Sequence, residues 1–357
     1  MKKEYTVLII VMVVVAVSMC VLGLTVLRTP EYDIPDNDTD TSTSADTTRP
    51  ATEPPETEAP VTEPVSETLP VTETEPPPET EPPVPEFSSG SLHIVGDYTP
   101  SESAVGALND AIAKFDRPTG IYAVDLSTGM TISYNANKKF APASIIKVVY
   151  ALYCCRQIDA GAASLDEMLT FTQDDYIHGN GSIAKMGIGA KVSIRDVLRY
   201  VIRTSDNEGY YMLLRRFGRK GCDEMLASIG VSTGKVSTSR WPDITPRDYG
   251  RVWQEIFRYK DESDTGMMLY ELLISVDYMH FFRDALGVTV ANKSGWNETS
   301  YNEGGIVYGD RIYVLVVLTS GSYYTADKKE YSAIVRAVDA MIKEYDAALN
   351  APTVTEE

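Results

Sequence analysis

The stretch FAPASIIKVVYAL, from Phe140 to Leu152, places a serine, Ser144, three residues before a lysine, Lys147, at the start of an otherwise apolar run. Residues three apart on a helix share a face, so the two side chains can lie about 5–6 Å apart at Cβ. A lysine that is partly removed from water has a lowered pKa and can take the proton of a serine hydroxyl. The spacing indicates a nucleophilic serine with an amine as its base, although the same spacing also arises by chance in most proteins.

Two further polar motifs follow this stretch. RTSDNEGYYML places Ser205, Asp206 and Asn207 between two predicted helices, and ANKSGWNETS places Lys293 and its two neighbours at the end of a predicted strand. Two lysines and two serine hydroxyls that converge on one cleft can activate a nucleophile, relay its proton and neutralise an anionic substrate. The three motifs together predict acyl transfer to a serine.

In their order along the chain, S-x-x-K, S-D-N and K-S-G resemble the signature of class A β-lactamases and penicillin-binding proteins. The resemblance extends from Ala107 to Ala347 and includes the order of the helices and strands. It implies a serine hydrolase that forms an acyl-enzyme with a β-lactam or with the acyl-D-Ala-D-Ala end of a peptidoglycan peptide. It implies no cofactor.

The resemblance also implies the catalytic roles. Ser144 would be the acylated nucleophile and Lys147 its general base or proton relay. Ser205 would pass the proton to the leaving nitrogen. The backbone N–H groups of Ser144 and Trp296 would form the oxyanion hole.

The substrate-binding residues implied by the resemblance follow the second and third motifs. Asn207 would hydrogen-bond the substrate amide. Lys293 would keep the site positive and, with Ser294, bind the substrate carboxylate; a serine in place of threonine retains the hydroxyl. Gly295 and Trp296 complete this set.

One segment departs from the family pattern. Class A enzymes carry an Arg-Trp-Glu in a long loop after the S-D-N helix, and its carboxylate holds the water that releases the acyl group. Here the segment reads TSRWPDITPRDYG, in which Arg240 and Trp241 are followed by Pro242 instead of Glu. Asp243 is the nearest carboxylate; it could replace the Glu, but a short loop with a fixed proline φ favours an ion pair with Arg240. We therefore expect slow deacylation, which leaves a D,D-carboxypeptidase or transpeptidase, or a non-catalytic penicillin- or wall-sensing module, as alternatives.

The order of predicted elements indicates an α+β fold. ALNDAIAKF has helical spacing, and residues 119–140 read as a hairpin around Ser127-Thr128-Gly129. The pattern is mostly helical from Ser144 to Asp284, and three strands and a helix over residues 328–347 close the chain. We expect an antiparallel five-stranded sheet built from both chain ends, flanked by the terminal helices, beside an all-helical subdomain.

The N-terminal quarter does not read as globular. Residues 7–27 are almost uninterruptedly apolar, and as a helix they would span roughly 31 Å, close to the hydrocarbon core of about 30 Å. Lys2 and Lys3 precede this run, which favours a single-pass anchor in the cell membrane with the rest of the chain extracytoplasmic. A cleaved signal peptide is the alternative, but no A-x-A-like site follows. The expected organisation is a cytoplasmic N-terminus (1–6), a transmembrane helix (7–27), a disordered Thr/Glu/Pro-rich stalk (28–90), the hydrolase domain (91–350) and a tail (351–357).

The stalk accounts for most of the net charge of −19. Residues 30–86 contain sixteen acidic residues and one Arg, which gives −15, and the segment before them carries +2, so −6 remains for residues 87–357. A mildly acidic domain argues against nucleic acid as a partner. The sequence leaves the oligomeric state open.

Cysteine and histidine usage indicates no redox or metal chemistry. Cys154 and Cys155 are adjacent in a predicted helix and Cys222 stands alone, which favours core packing over disulfides. The three histidines are scattered, and no metal-binding motif is present, so no metal site is expected.

Overall fold

The computed structural model describes residues 85–177, 181–277, 280–324 and 328–351, and the fold is α+β with an antiparallel sheet, as expected. Outside these ranges lie the expected cytoplasmic N-terminus, the transmembrane segment at 7–27, the stalk up to residue 84 and the tail from residue 352. Within them, no helix combines the length and apolar composition that a bilayer crossing requires.

The strands in the described residues are β1 (Glu86–Ser89), β2 (Leu92–Val95), β3 (Thr119–Asp125), β4 (Thr131–Tyr134), β5 (Met168–Thr170), β6 (Lys191–Ser193), β7 (Thr289–Trp296), β8 (Tyr301–Tyr308) and β9 (Ile312–Thr319). Seven of them form the main sheet in the order β1-β2-β4-β3-β9-β8-β7, and a separate hairpin, β5-β6, lies in the helical region.

The helices follow the predicted order, and the central block, which the sequence pattern predicted as mostly helical, divides into several helices. They are α1 (Glu102–Phe115), α2 (Ile146–Asp159), α3 (Ile194–Arg203), α4 (Asn207–Phe217), α5 (Lys220–Ser228), α6 (Pro246–Tyr259), α7 (Asp264–Ile274), α8 (Phe281–Leu286) and α9 (Lys328–Leu349).

The sheet has two strands more than the expected five. The hairpin β1-β2 adds to the edge at β4, where Leu92 and Ile94 are fully buried. Its first strand begins at Glu86, a few residues inside the stretch assigned to the stalk. Strands of four residues beside a Pro-rich segment carry too little alternation for the sequence pattern to predict them.

Both chain ends meet in the sheet, as the sequence predicted. β3 pairs with β9 in a register that aligns Thr119 with Thr319. Strand β9 is buried on both faces: Val314 and Val316 pack with the helical subdomain, and Leu315 packs under the terminal helices. Full burial of each such side chain stabilises the fold by about 1.5–3 kcal/mol.

Helix α2 runs through the centre of the helical subdomain, and its residues from Ile146 to Cys155 are all buried. This explains its unbroken apolar sequence, since every face contacts protein. Cys154, Cys155 and Cys222 are buried free thiols whose pKa values are raised by burial, which fits core packing. The serine that precedes α2 is therefore attached to a rigid element.

Candidate active site

Ser144 lies in a 3-10 turn, Ala143–Ile145, that leads directly into α2. Ala143 has a φ of 47°, in the left-handed region that residues with a Cβ rarely adopt. Such a conformation persists only where the surrounding structure enforces it. The backbone of this turn must therefore be held from outside.

The side chains that hold it come from strand β8 and the residue before it. Asn302, fully buried, donates from Nδ2 to the carbonyl oxygens of Ala141 (2.9 Å) and Pro142 (3.3 Å). Its Oδ1 accepts from the Thr319 N–H at 2.8 Å. The hydroxyl of Ser300 donates to the same Ala141 carbonyl at 3.0 Å. The turn that presents Ser144 is thereby tied to the sheet.

Lys147 extends its amine, fully buried, into a cluster of oxygens. Nζ lies 3.2 Å from Ser144 Oγ, 2.6 Å from the Ser205 carbonyl oxygen and 2.5 Å from Asn207 Oδ1. Burial, with a contribution from the nearby Lys293 ammonium, holds the pKa of Lys147 well below its usual value. A neutral amine has two N–H bonds and one lone pair. The two shortest contacts are to oxygens that can only accept, so the lone pair is left for a hydroxyl, and those of Ser144 and Ser205 both lie at 3.2 Å.

Ser205 lies between the two lysines of the site. Its Oγ is 3.2 Å from Lys147 Nζ and 3.1 Å from Lys293 Nζ. Lys293 also donates to the Ser294 carbonyl at 2.8 Å, and burial lowers its pKa to about 7. One hydroxyl thus connects both amines, which is the arrangement that a proton relay requires.

The S-D-N turn is fixed by Asp206. This residue is the N-cap of α4: Oδ1 accepts from Gly209 N at 2.8 Å, and Oδ2 accepts from Ile183 N at 3.1 Å. Ser205 has a φ of 57°, and the hydrogen bond from Lys147 to its carbonyl supports this conformation. The cap places Asn207 at the first helical position, from which its side chain reaches the cleft.

Strand β7 approaches the Ser144 turn at Gly295. A Cβ on this residue would lie 2.7 Å from the backbone nitrogens of Ser144 and Ile145 and from the Pro142 carbonyl oxygen. Only glycine allows the strand to pass so close to the nucleophile. Trp296, the next residue, consequently lies beside the turn and lines the cleft.

Behind the K-S-G strand lies a buried carboxyl group, Glu303 of β8, in register with Ser294. It accepts from the Phe282 N–H at 2.7 Å and from the Asn292 side-chain amide. Burial raises its pKa to about 8, and its negative charge when ionised favours the protonated form of Lys293.

These elements enclose a cleft of about 270 Å³ with polar and aromatic walls. Its lining residues are Ala141, Pro142, Ala143, Ser144, Asn207, Trp241, Trp296 and Asn297. None of them carries a carboxylate. The predicted residues Ser144, Asn207 and Trp296 line the cleft, whereas Lys147, Lys293 and Ser294 are buried beneath its surface.

The loop with Trp241 forms one wall. A backbone bridge joins Phe140, just before the nucleophile turn, to Ile244, with two N–H to carbonyl distances of 3.0 Å. The Trp241 ring lies 5.2 Å from the Tyr210 ring and 5.6 Å from the Lys147 amine. An aromatic face next to Lys147 excludes water from the amine and contributes to its burial.

The expected ion pair between Arg240 and Asp243 is wrong. The Arg240 guanidinium stacks on the Tyr211 ring at 4.7 Å, and the exposed Asp243 carboxylate forms no ion pair within the described residues. The loop is closed instead by Asp248, which accepts from the backbone N–H groups of Ser232 (3.2 Å) and Thr233 (2.9 Å). Aspartate at the start of α6 is a better partner because it is buried and its carboxylate meets several donors at once.

Sequence reasoning missed Asn302, Ser300, Asn297 and Glu303. The only available signal for Asn302 and Glu303 was the polar pair in the strand segment YNEGGIV, since a polar side chain inside an apolar strand needs a buried hydrogen-bond partner. Which partner it finds depends on segments far apart along the chain. Within the described residues, no cluster of His, Cys, Asp or Glu is arranged to hold a metal ion.

Comparison with protein families gives a match to the model of the "Beta-lactamase enzyme family" over residues 104–345, more than half of the chain. A β-lactamase of Streptomyces cellulosae is 27% identical over 233 residues, which cover 59% of this chain and 74% of that protein. A β-lactamase of Bacillus subtilis is 31% identical over 124 residues, which cover 34% of this chain and only 40% of that protein.

Solved structures show the same fold. A β-lactamase from Chitinophaga pinensis has a TM-score of 0.60 and 22% identity, covering 69% of this chain and all of that one. PBP-A has a TM-score of 0.61 and 18% identity, covering 69% of this chain and 98% of that one. A mutant of PBP-A, with the same scores, was solved as an acyl-enzyme complex with penicillin G. With a family match that spans both the sheet and the helical subdomain, the chain belongs to the beta-lactamase enzyme family.

Proposed function

We propose that the protein is a class A-like serine hydrolase that forms an acyl-enzyme at Ser144. The observation that carries this proposal is the buried Lys147 amine, 3.2 Å from Ser144 Oγ, with two acceptor-only oxygens on its other side. A neutral amine in this position takes the hydroxyl proton as the oxygen attacks a carbonyl carbon.

The remaining groups fit the steps that follow attack. The backbone N–H groups of Ser144 and Trp296, brought together by the close approach at Gly295, stabilise the oxyanion. Ser205 receives the proton from Lys147 and delivers it to the leaving nitrogen, while Lys293 makes the serine hydroxyl a better donor through the 3.1 Å contact.

Substrate recognition falls to polar groups in the wall of the cleft and directly beneath its surface. The Lys293 ammonium and the Ser294 hydroxyl bind a carboxylate, and Asn207 binds the amide of the acyl group. A β-lactam and an acyl-D-Ala-D-Ala peptide share this pairing of a carboxylate with a nearby reactive amide. Support for a β-lactam comes from relatives that are β-lactamases and from the penicillin complex of PBP-A.

A D,D-carboxypeptidase or transpeptidase is the second candidate, and the lining of the cleft favours it over an efficient lactamase. A lactamase of this type needs a base to activate the deacylating water. No residue that lines the described cleft is a carboxylate, and Pro242 stands where class A enzymes have Glu. We therefore expect fast acylation and slow release of the acyl group.

We also propose that residues 7–27 anchor the protein as a single pass in the cell membrane, with the catalytic domain on the extracytoplasmic side. This location suits a substrate in the cell wall. Labelling of intact cells with a membrane-impermeant amine reagent should modify the domain. Protection of the domain until the cells are lysed would contradict this location.

The decisive experiment is intact-mass spectrometry of the full chain, in detergent, after addition of benzylpenicillin. A lasting adduct supports the peptidase-like enzyme, and a transient adduct supports a lactamase. Ser144→Ala should abolish the adduct, whereas Ser228→Ala, an exposed serine on α5, should leave it unchanged. Absence of any adduct on the wild-type chain would overturn the acyl-enzyme proposal and favour a non-acylating sensor module.

A further inference from the structure

Arg240 is a cation at the edge of the cleft with no acidic partner in the described part of the chain. Its side chain is exposed, and Cζ of the guanidinium lies over the Tyr211 ring, 4.7 Å from the ring centroid. The backbone is fixed as well, because the hydroxyl of the fully buried Tyr210 donates to the Arg240 carbonyl oxygen at 2.8 Å. The charge is therefore held in place without being neutralised.

Its position relative to the cleft follows from helix α4. Tyr211 is four residues after Asn207, so the two lie on the same face of the helix, about 6 Å apart along its axis. Trp241, the residue after Arg240, lines the cleft together with Asn207. The guanidinium consequently lies next to the wall that receives the acyl group, whereas Lys293 and Ser294 belong to strand β7.

The chemistry of this arrangement suits a carboxylate. A guanidinium stacked on an aromatic ring keeps its N–H donors in one plane, where a carboxylate can accept two hydrogen bonds. No protein acceptor within the described residues occupies these donors. Stacking also reduces the side-chain entropy that an exposed arginine would lose on binding.

We propose that Arg240 is a second anion subsite that selects acyl donors with a side-chain carboxylate close to the attacked amide. This inference rests on the proposed acyl-enzyme function and specifies its substrate class. The terminal carboxylate of the donor goes to Lys293 and Ser294, and the second carboxylate, on the residue before the acylated D-Ala, goes to Arg240. Benzylpenicillin has only one carboxylate and would occupy only the subsite formed by Lys293 and Ser294.

The test compares two peptides that differ by one charge, acetyl-Glu-D-Ala-D-Ala and acetyl-Gln-D-Ala-D-Ala. Release of D-Ala from each peptide by the full-length protein is measured at low ionic strength, and the ratio of the two rates is the readout. We expect the wild type to prefer the Glu peptide about fivefold, as for an exposed but well-oriented ion pair. The preference should decrease in 0.5 M NaCl, where exposed charges are screened.

Three variants test whether Arg240 causes the preference for the Glu peptide. Arg240→Gln should reduce the ratio to about one, and Arg240→Lys should retain part of it. Lys235→Gln removes the same charge from an exposed position in the same loop and should retain the full ratio. Because each ratio compares two peptides on one protein, a general loss of activity cancels.

Two results would overturn the inference while the proposed function stands. The first is that the wild-type protein is acylated by benzylpenicillin and releases D-Ala from both peptides at the same rate. The second is that the Arg240→Gln variant keeps the wild-type preference for the Glu peptide. If neither penicillin nor peptide acylates the wild type, the proposed function itself fails and the inference fails with it.

Discussion

Replacement of Gly295 by alanine should slow acylation about 100-fold. The new Cβ would lie 2.7 Å from three backbone atoms of the Ser144 turn, whereas ordinary contacts begin at 3.4 Å. Strand and turn must therefore separate by roughly 0.7 Å, since backbone atoms cannot rotate away as a side chain can. A misplacement near 1 Å costs about 10²-fold in rate, and loss of one oxyanion donor costs about 10²–10³-fold.

The assay is stopped-flow acylation by a fluorescent penicillin, with near-ultraviolet circular dichroism to show that the variant is folded. Strain from the added methyl group should also reduce the free energy of unfolding by about 1–3 kcal/mol. Gly309→Ala is the matched control, because its nearest neighbour would be at 3.8 Å and the position is exposed. A folded Gly295→Ala protein that acylates within about threefold of the wild-type rate would refute the reasoning.

Three further predictions concern the residues that surround the nucleophile. The pKa of Lys293 is lowered to about 7, so the second-order rate constant of acylation should fall as the pH rises through 7, because the ammonium that binds the carboxylate is lost. In a pH–rate profile of Lys293→Arg, this fall should occur at higher pH. Glu303 has a folded-state pKa raised to about 8, so its folded form keeps a proton that the unfolded chain loses above about pH 4.5. The free energy of unfolding of the wild type, relative to Glu303→Gln, should then decrease between pH 5 and 7 in urea titrations, and a constant difference would contradict the assignment. Asn302→Leu removes three hydrogen bonds, to the Ala141 and Pro142 carbonyls and from the Thr319 N–H, and should lower the free energy of unfolding by about 3 kcal/mol; a thermal midpoint close to that of the wild type would contradict this.

The sequence predicted the parts of the fold that have strong local patterns. The hairpin of β3 and β4, the closing strands β7 to β9 and the terminal helices lie within a few residues of their expected bounds. The hairpins β1-β2 and β5-β6 were missed because strands of three or four residues show almost no periodicity. Their formation depends on a neighbouring edge or loop, which a local pattern does not contain.

The site was predictable to the extent that its chemistry is encoded in short motifs. In the structure, Lys147 contacts Ser144, Ser205 and Asn207, and Ser205 in turn contacts Lys293. The supporting roles of Ser300 and Asn302 were not predictable, because their partner, the Ala141 carbonyl, lies 159 and 161 residues away along the chain.

The error at Arg240 has the same origin. The short loop with its fixed proline suggested an ion pair between Arg240 and Asp243, but the arginine contacts a ring on α4 and the aspartate is exposed. A stacking partner in another element leaves no trace in the local sequence.

The pairing of β3 with β9 also determines when the domain can fold. The aligned residues Thr119 and Thr319 are separated by 200 positions, so β3 is synthesised long before its partner β9. The sheet of a growing chain therefore stays incomplete until strands β7 to β9 have emerged, and the domain can finish folding only after that point. The Ser144 turn, which Asn302 of β8 holds in place, stays unassembled until these strands have paired.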